Sequence, residues 1–258
     1  HTTAYPILSG LVGSEMCIRD SIGVFALIAD TITSVAGNNL QNVLELLGAL
    51  GFYMLAVIIG LILQMVITYT SVLKIFSKMS LKKFYQGIAP AQLLAFSTSS
   101  SGATLPVTME RCEDELGVSE EVSSFVLPLG ATVNMDGTAL YQAVAAVFIA
   151  QTLGMDLTIG AQLTIVLTAV LASIGTAAVP GAGIIMLVII LEAIGVPSAG
   201  IALILGVDRI LDMMRTVTNV TLSLIHISEP TRPERIGDAV VWVKKKRGGG
   251  GGGGGGGG

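Results

Sequence analysis

The sequence predicts an all-α integral membrane fold, arranged as an inverted repeat with two re-entrant helical hairpins and one unwound spanning helix. Three observations predict it. Only 12% of the 258 residues are charged against 52% hydrophobic, with a mean hydropathy of +0.78, whereas a soluble domain carries about 25% charged residues. Several uncharged runs exceed the roughly 20 apolar residues that cross a bilayer. Three of those runs are interrupted near their middle by Ser-, Gly-, Asn- or Pro-rich stretches, whose bared peptide groups lipid would not tolerate.

Composition also excludes several classes. Cys17 and Cys112 lack metal-ligand spacing and imply no disulfide framework. His1 and His226 lie near the ends, away from any cluster of chemistry. A Gly-rich phosphate loop and a basic patch with interleaved aromatics are both missing, so nucleic acid is not an expected partner. The two ends stand apart from the rest. Gly13–Ser21 and Ser223–Arg232 resemble translated sequencing-adapter sequence, and Gly248–Gly258 is a glycine run with no apolar surface to bury. Residues 1–21 and 222–258 are therefore expected to be non-native tails.

Within these bounds, Ile22–Ala29 is a short apolar run ending at Asp30, part of a span. Leu46–Leu73 contains no charged residue and predicts a full, tilted spanning helix. Lys74, Lys78, Lys82 and Lys83 follow and mark a cytoplasmic loop. Phe84–Met109 is uncharged, but Ser97–Pro106 at its centre makes a poor spanning helix. Serines compete for the backbone and Pro106 breaks it, so a re-entrant hairpin facing a polar cavity is expected. Val122–Met155 is apolar except at Asp136, and Asn134–Tyr141 predicts an unwound stretch able to offer oxygen ligands to a hard cation. Leu157–Leu191, broken by Ser173–Gly183, predicts a second hairpin entered from the outer side, with a Gly-rich tip that can act as a gate.

Ala193–Val207 then leads to Asp208–Asn219. On a helix Asp208, Asp212, Arg215 and Asn219 fall at i, i+4, i+7 and i+11, one stripe of a membrane-embedded face. An ionised group at the bilayer centre costs at least about 2.5–3.5 kcal/mol on insertion scales, so such groups face a protein interior or a wet site. Plainer readings of the four unusual stretches stay open: a Ser-rich linker, an Asn/Asp kink met by a neighbour, two helices with a tight turn, and a buried ion pair. Taken together, span, hairpin, broken span, hairpin and charged span read as two halves of opposite orientation. That is the pattern of a secondary-transporter core with its site at the midplane.

Four motifs, in this order, closely resemble the dicarboxylate/amino acid:cation symporter family, the glutamate and aspartate transporters. They are Ser99–Pro106, Asn134–Thr138, Ser173–Gly183 and Asp208–Asn219, and the resemblance covers about residues 21–221. It implies a transport domain over 45–221 preceded by the remnant of a scaffold span over 22–44, and a transporter rather than an enzyme. It implies that Arg215 pairs with a substrate side-chain carboxylate, which suits a planar fork. Asp212 would hold the amino group, while Asn219, Ser101 and the backbone at Ser99 hold the α-carboxylate. Thr138, Val179, Gly183 and Thr216 would complete the pocket. The implied ion is Na+, or protons in its place. Its ligands would be Gly130, Asn134 and Asn219 at one site, and Thr132, Met135, Ser173, Ile174 and Thr176 at a second. Asp136 with Asn134 belongs to a third. The implied partners are an acidic amino acid or C4-dicarboxylate, the lipid bilayer of the plasma membrane, and a homotrimer whose scaffold the transport domain moves against.

Two departures from the family qualify these expectations. Ser99 and Met213 stand where some members carry a further arginine, which bears on the choice among aspartate, glutamate and other dicarboxylates. Leu222-Ser223 stands where the family continues Gly-Asp, whose carboxylate completes the first sodium site. With the family's earlier spans also missing, the chain as written is expected to be unable to perform coupled transport. Two rival readings remain. Asp136 with Asp208 or Asp212 admits an intramembrane aspartyl protease, although the Gly-x-Gly-Asp arrangement of one such group is absent. A membrane receptor or structural subunit that binds an amino acid without moving it is the other.

Overall fold

The computed structural model describes residues 40–76 and 80–227, with the helical residues Ala26, Ala29 and Thr33; most of the expected span over 22–44 and both far ends lie outside the described residues. Helix α1 (Leu40–Leu63), a π-helical segment (Gln64–Tyr69) and α2 (Thr70–Phe76) follow one another without a break. Leu63 and Thr70, which flank the π segment, both keep right-handed helical angles. At about 1.5 Å per residue the rod is on the order of 55 Å long, more than the roughly 30 Å of a hydrocarbon core.

Helices α3 (Leu81–Thr98) and α4 (Ser101–Asp114) form the first hairpin. Its break falls at Ser99–Ser100 and not at Pro106, which corrects the sequence-based expectation. Ser99 adopts the left-handed region (φ 51°), the sole non-glycine with positive φ among the described residues. The Ser100 hydroxyl then caps α4 by accepting the Ala103 N–H at 3.1 Å. Pro106 sits early in α4, where it removes only the bond to the Gly102 carbonyl, and the helix continues through it.

Helix α5 (Glu120–Val133) stops at Asn134 and Met135, whose ψ angles of 69° and 46° are not helical, and α6 (Asp136–Thr152) starts at once. The unwinding is thus two residues long. Helices α7 (Ile159–Ile174) and α8 (Ala182–Ala193) form the second hairpin, joined by a non-helical tip that ends at Gly181 (φ 76°). A short 3-10 helix (Ser198–Leu203) leads to α9 (Leu205–Ile227). The helix α9 runs past Thr221, where the fold was expected to end. Val220, Leu224 and Ile227 continue its apolar face at i, i+4 and i+7, and all three are buried.

The helix α9 organises the packing: it touches α1, α3, α4, α5 and α6. One apolar core gathers Tyr53, Val57, Tyr141, Ile149, Ile165, Leu187 and Leu211. A second gathers Tyr69, Phe84, Ile88, Leu127, Val220 and Leu224. Along α9, between Leu211 of the first core and Val220 of the second, lie the buried Asp212, Arg215, Thr216, Thr218 and Asn219. The outer surface has the opposite polarity. Phe52, Phe125, Ile159 and Ile185 are 77%, 74%, 78% and 71% exposed. Two stretches, Gln41–Ile75 and Glu120–Thr152, are long and apolar enough to cross a membrane. Ionic groups inside and large apolar groups outside are what a lipid solvent selects.

Gly200 marks a tight crossing in this packing, because a Cβ there would lie 2.3 Å from the Cγ2 of Ile149. Gly200→Val is expected to destabilise the fold by about 1–3 kcal/mol, read as a lower midpoint of thermal unfolding in detergent.

Candidate functional site

The site grows from the α9 stripe. Arg215 is 2% exposed. Its Nε donates to Oδ1 of Asp212 at 2.9 Å, and its Nη2 lies 2.8 Å from the same oxygen in an ion pair. Its Nη1 lies 3.6 Å from Oδ1 of Asp208, without a hydrogen bond. The guanidinium carbon stands 4.3 Å from the centre of the Tyr141 ring on α6, a cation–π contact that helps a cation in a dry site. One arginine is therefore buried with two carboxylates and an aromatic face, with one donor nitrogen left over.

The break before α6 supplies the next layer. Starting a helix at Asp136 frees its first N–H groups. The Gly137 N–H donates to Oδ1 of Asn219 at 2.9 Å, and Nδ2 of Asn219 donates to the Thr138 hydroxyl at 3.0 Å. A Cβ on Gly137 would lie 2.9 Å from both the Arg215 carbonyl oxygen and Oδ1 of Asn219, so α6 and α9 meet there only because residue 137 has no side chain. Asp136 itself accepts from Gly137 N–H on Oδ1 (2.9 Å), and from Gln64 Nε2 (2.7 Å) and the Tyr69 hydroxyl on Oδ2.

The two hairpin tips close over this layer and touch each other. The Ser100 hydroxyl and the Gly102 N–H both donate to the Ala178 carbonyl, at 2.8 and 3.1 Å. The Gly181 N–H donates to Oδ2 of Asp212 at 3.0 Å. Gln142 of α6 donates to the Gly183 carbonyl at 3.0 Å, and a Cβ on Gly183 would lie 2.8 Å from Nη1 of Arg215. A cavity of about 20 Å³ remains. Its walls include Ser99, Ser101, Thr138, Val179, Gly183, Asp212, Arg215, Thr216 and Asn219, with Met135 and Thr176. Every residue that the family resemblance assigns to substrate thus borders one space.

The expected cation residues are less concentrated. Gly130, Asn134, Asn219 and Ser223 gather. A Cβ on Gly130 would lie 3.0 Å from Nδ2 of Asn134 and 3.1 Å from the Ser223 hydroxyl, which in turn donates to the Asn219 carbonyl at 3.2 Å. By contrast, the hydroxyls of Thr132, Ser173 and Thr176 each turn back to their own chain, to the carbonyls of Leu129, Val170 and Ala172. Ile174 is 47% exposed. Among the described residues no three His, Cys, Asp or Glu side chains cluster. The available donors are amide, hydroxyl and carbonyl oxygens with the Asp136 carboxylate, a set that fits a hard monovalent cation.

Sequence reasoning did not single out Tyr141, Gln142, Gln64 or Tyr69. All are polar-tipped residues inside otherwise apolar runs, and that anomaly was the available signal. The carboxylates face cationic or neutral partners: Asp212 accepts from Arg215, Asp208 stands 3.6 Å from the same guanidinium, and Asp136 accepts from Gln64 and Tyr69. No shared-proton pair of the protease kind is formed by these contacts.

Fold and site together define an all-α, multi-helix membrane protein that buries an ionic layer between two broken helical hairpins. The chain belongs to the sodium:dicarboxylate symporter family, whose family model matches residues 20–226. It is 48% identical to excitatory amino acid transporter 2 of Mus musculus over 171 residues, which is 66% of this chain and 30% of that protein. Excitatory amino acid transporter 3 of Mus musculus is 46% identical over 199 residues, 77% of this chain and 37% of that protein. An excitatory amino acid transporter of Caenorhabditis elegans is 42% identical over 198 residues, 77% of this chain and 38% of that protein. The chain spans roughly a third of the length of these relatives.

Gly137→Ala is expected to lower stability by about 1–3 kcal/mol, because backbone and amide must shift to admit the methyl group. Gly48→Ala, with nothing within 4 Å of its Cβ, should be neutral or stabilise by up to about 1 kcal/mol. Thermal unfolding of the two variants side by side checks the contrast.

Proposed function

We propose that this chain forms the substrate- and cation-binding core of a sodium-coupled symporter for acidic amino acids or C4-dicarboxylates. It would work by elevator-type alternating access as part of a homotrimer in the plasma membrane. The two helix pairs α3–α4 and α7–α8 act in this reading as re-entrant hairpins related by an inverted repeat. The observation that carries the proposal is Arg215, a buried guanidinium whose Nη1 has no hydrogen-bond partner, at a cavity walled by hydroxyls, an amide and a carboxylate.

The chemistry follows from the donors in hand. A substrate side-chain carboxylate satisfies the orphan Nη1 and shares the positive charge with Asp208 and Asp212. A substrate ammonium takes Oδ2 of Asp212 in place of the Gly181 N–H, so amine recognition and tip opening act on one atom. Ser101, Asn219 and the Ser99 backbone receive the α-carboxylate. A 20 Å³ cavity holds about one water, so a substrate enters only when the 175–181 tip lifts. That lifting breaks the three contacts made by Ser100, Gly102 and Gly181. Each contributes about 0.5–1.5 kcal/mol net, a barrier that a ligand's own binding energy can overcome. Sodium at Asn134, Asn219 and Asp136 would supply positive charge that favours the closed tip, which is all that coupling requires.

Arg215→Ala is expected to weaken sodium-dependent binding of radiolabelled L-aspartate by about a hundredfold or more, since it removes one partner of a buried charge pair. Undiminished aspartate binding in that variant would sink the acidic-substrate reading. Ser223 occupies the position next to Asn134 and Asn219 where the family resemblance expects a carboxylate. Ser223→Asp should therefore lower the sodium concentration for half-maximal binding by at least about tenfold, measured in the same assay.

A further inference from the structure

The π segment of the first helical rod has a geometric purpose. Gln64 and Tyr69 are its first and last residues, and both donate to one oxygen, Oδ2 of Asp136. In an α-helix five residues advance the face by about 500°, which leaves two such side chains about 140° apart. The wider π turn, closed by i→i+5 bonds, brings them back towards one face. A π turn in mid-span weakens backbone hydrogen bonding, and here its return is two donors on one buried carboxylate.

A carboxylate offers about four lone-pair positions. On Asp136 one is taken by Gly137 and two by Gln64 and Tyr69. A cation approaching Oδ2 meets two N–H and O–H donors already in place, pointing their positive ends at the same atom. The phenol has a second acceptor within reach, the Thr218 carbonyl of α9 at 3.3 Å, so Tyr69 can leave Asp136 without becoming orphaned.

We propose that Gln64 and Tyr69 belong to the Asp136 cation site and set its affinity by competing with the cation for Oδ2. Cation binding is then linked to the geometry of the π segment. The inference rests on the sodium-coupled reading above. Released from Asp136, the π turn loses the contacts that hold it, and Tyr69 hands its proton donor to α9 one residue before Asn219.

The test uses the full chain in lipid nanodiscs with sodium chloride alone as the probe. Two readouts are taken: the sodium dissociation constant from radioactive sodium binding, and amide hydrogen exchange over residues 64–70. Tyr69→Phe should tighten sodium binding about tenfold by removing one charge-assisted donor, and Gln64→Met should do likewise. Sodium should speed exchange at 64–70 in the parent chain, and Asp136→Asn should abolish that response. If Tyr69→Phe does not fold, Gln64→Met carries the affinity measurement alone. Unchanged or weakened sodium binding in the folded variants overturns the proposal, as does exchange at 64–70 that ignores sodium. Sodium binding that persists through the Asn134–Asn219 region while these residues have no effect would sink this inference only. A chain that binds no sodium at all overturns the functional reading as well.

Discussion

A guanidinium that is 2% exposed on a helix surrounded by apolar surface is the constraint to which the other features answer. Neither lipid nor an apolar core can hold it alone. Asp212 neutralises it from one turn back on the same helix, Asp208 stands behind, and the Tyr141 ring covers its face. These partners neutralise the charge without exhausting its donors. The hairpin tips must then come close enough to exclude lipid, which explains why Gly183 and Gly137 sit where a methyl group would collide with Arg215 or its carbonyl.

The broken helices answer the same constraint from the backbone side. A continuous helix presents side chains only. A break at Asn134–Met135 presents the free N–H groups of α6, and the tips at Ser99–Ser100 and before Gly181 present peptide groups and hydroxyls. Ser100, Gly102, Gly137 and Gly181 all find partners in the layer between the two apolar cores. The first hairpin offers the Ser100 hydroxyl and the Gly102 N–H, the second offers carbonyl and amide groups, and the Ala178 carbonyl is where the two meet.

Much of this was legible in the sequence because membrane solvent makes polarity conspicuous. The Asn134 break, both hairpin tips and the α9 stripe all announce themselves as polar residues in uncharged runs. Their exact geometry was not legible. Pro106 reads as a breaker, yet the helix stops seven residues earlier at Ser99, because a left-handed serine and a serine cap end and restart the chain more effectively than a missing N–H near a helix start. Gln64 and Tyr69 were hidden because five-residue spacing is not a helical face, and only a π turn makes it one. The hydroxyls of Thr132, Ser173 and Thr176 turn to local carbonyls, a choice of rotamer that no sequence pattern specifies.

The order in which these contacts become possible bears on biogenesis. Tyr69 meets Thr218 across 149 positions, and Gly137 meets Asn219 across 82. Arg215, Asn219 and Thr218 all reside on α9, the last of the described helices. A ribosome delivering this chain from the amino end therefore makes Asp136 after its donors Gln64 and Tyr69, but places the Ser99–Ser100 turn and Gln142 in the membrane before the Ala178 and Gly183 carbonyls they meet, and Gly137 and Thr138 before Asn219. Until the second hairpin and α9 are released, those later-paired groups are unsatisfied in a solvent that cannot satisfy them. Long-range closure of this kind is slow and leaves incomplete species exposed. The nascent helices must wait beside the insertion machinery, or in a water-filled vestibule, for the helix that completes them.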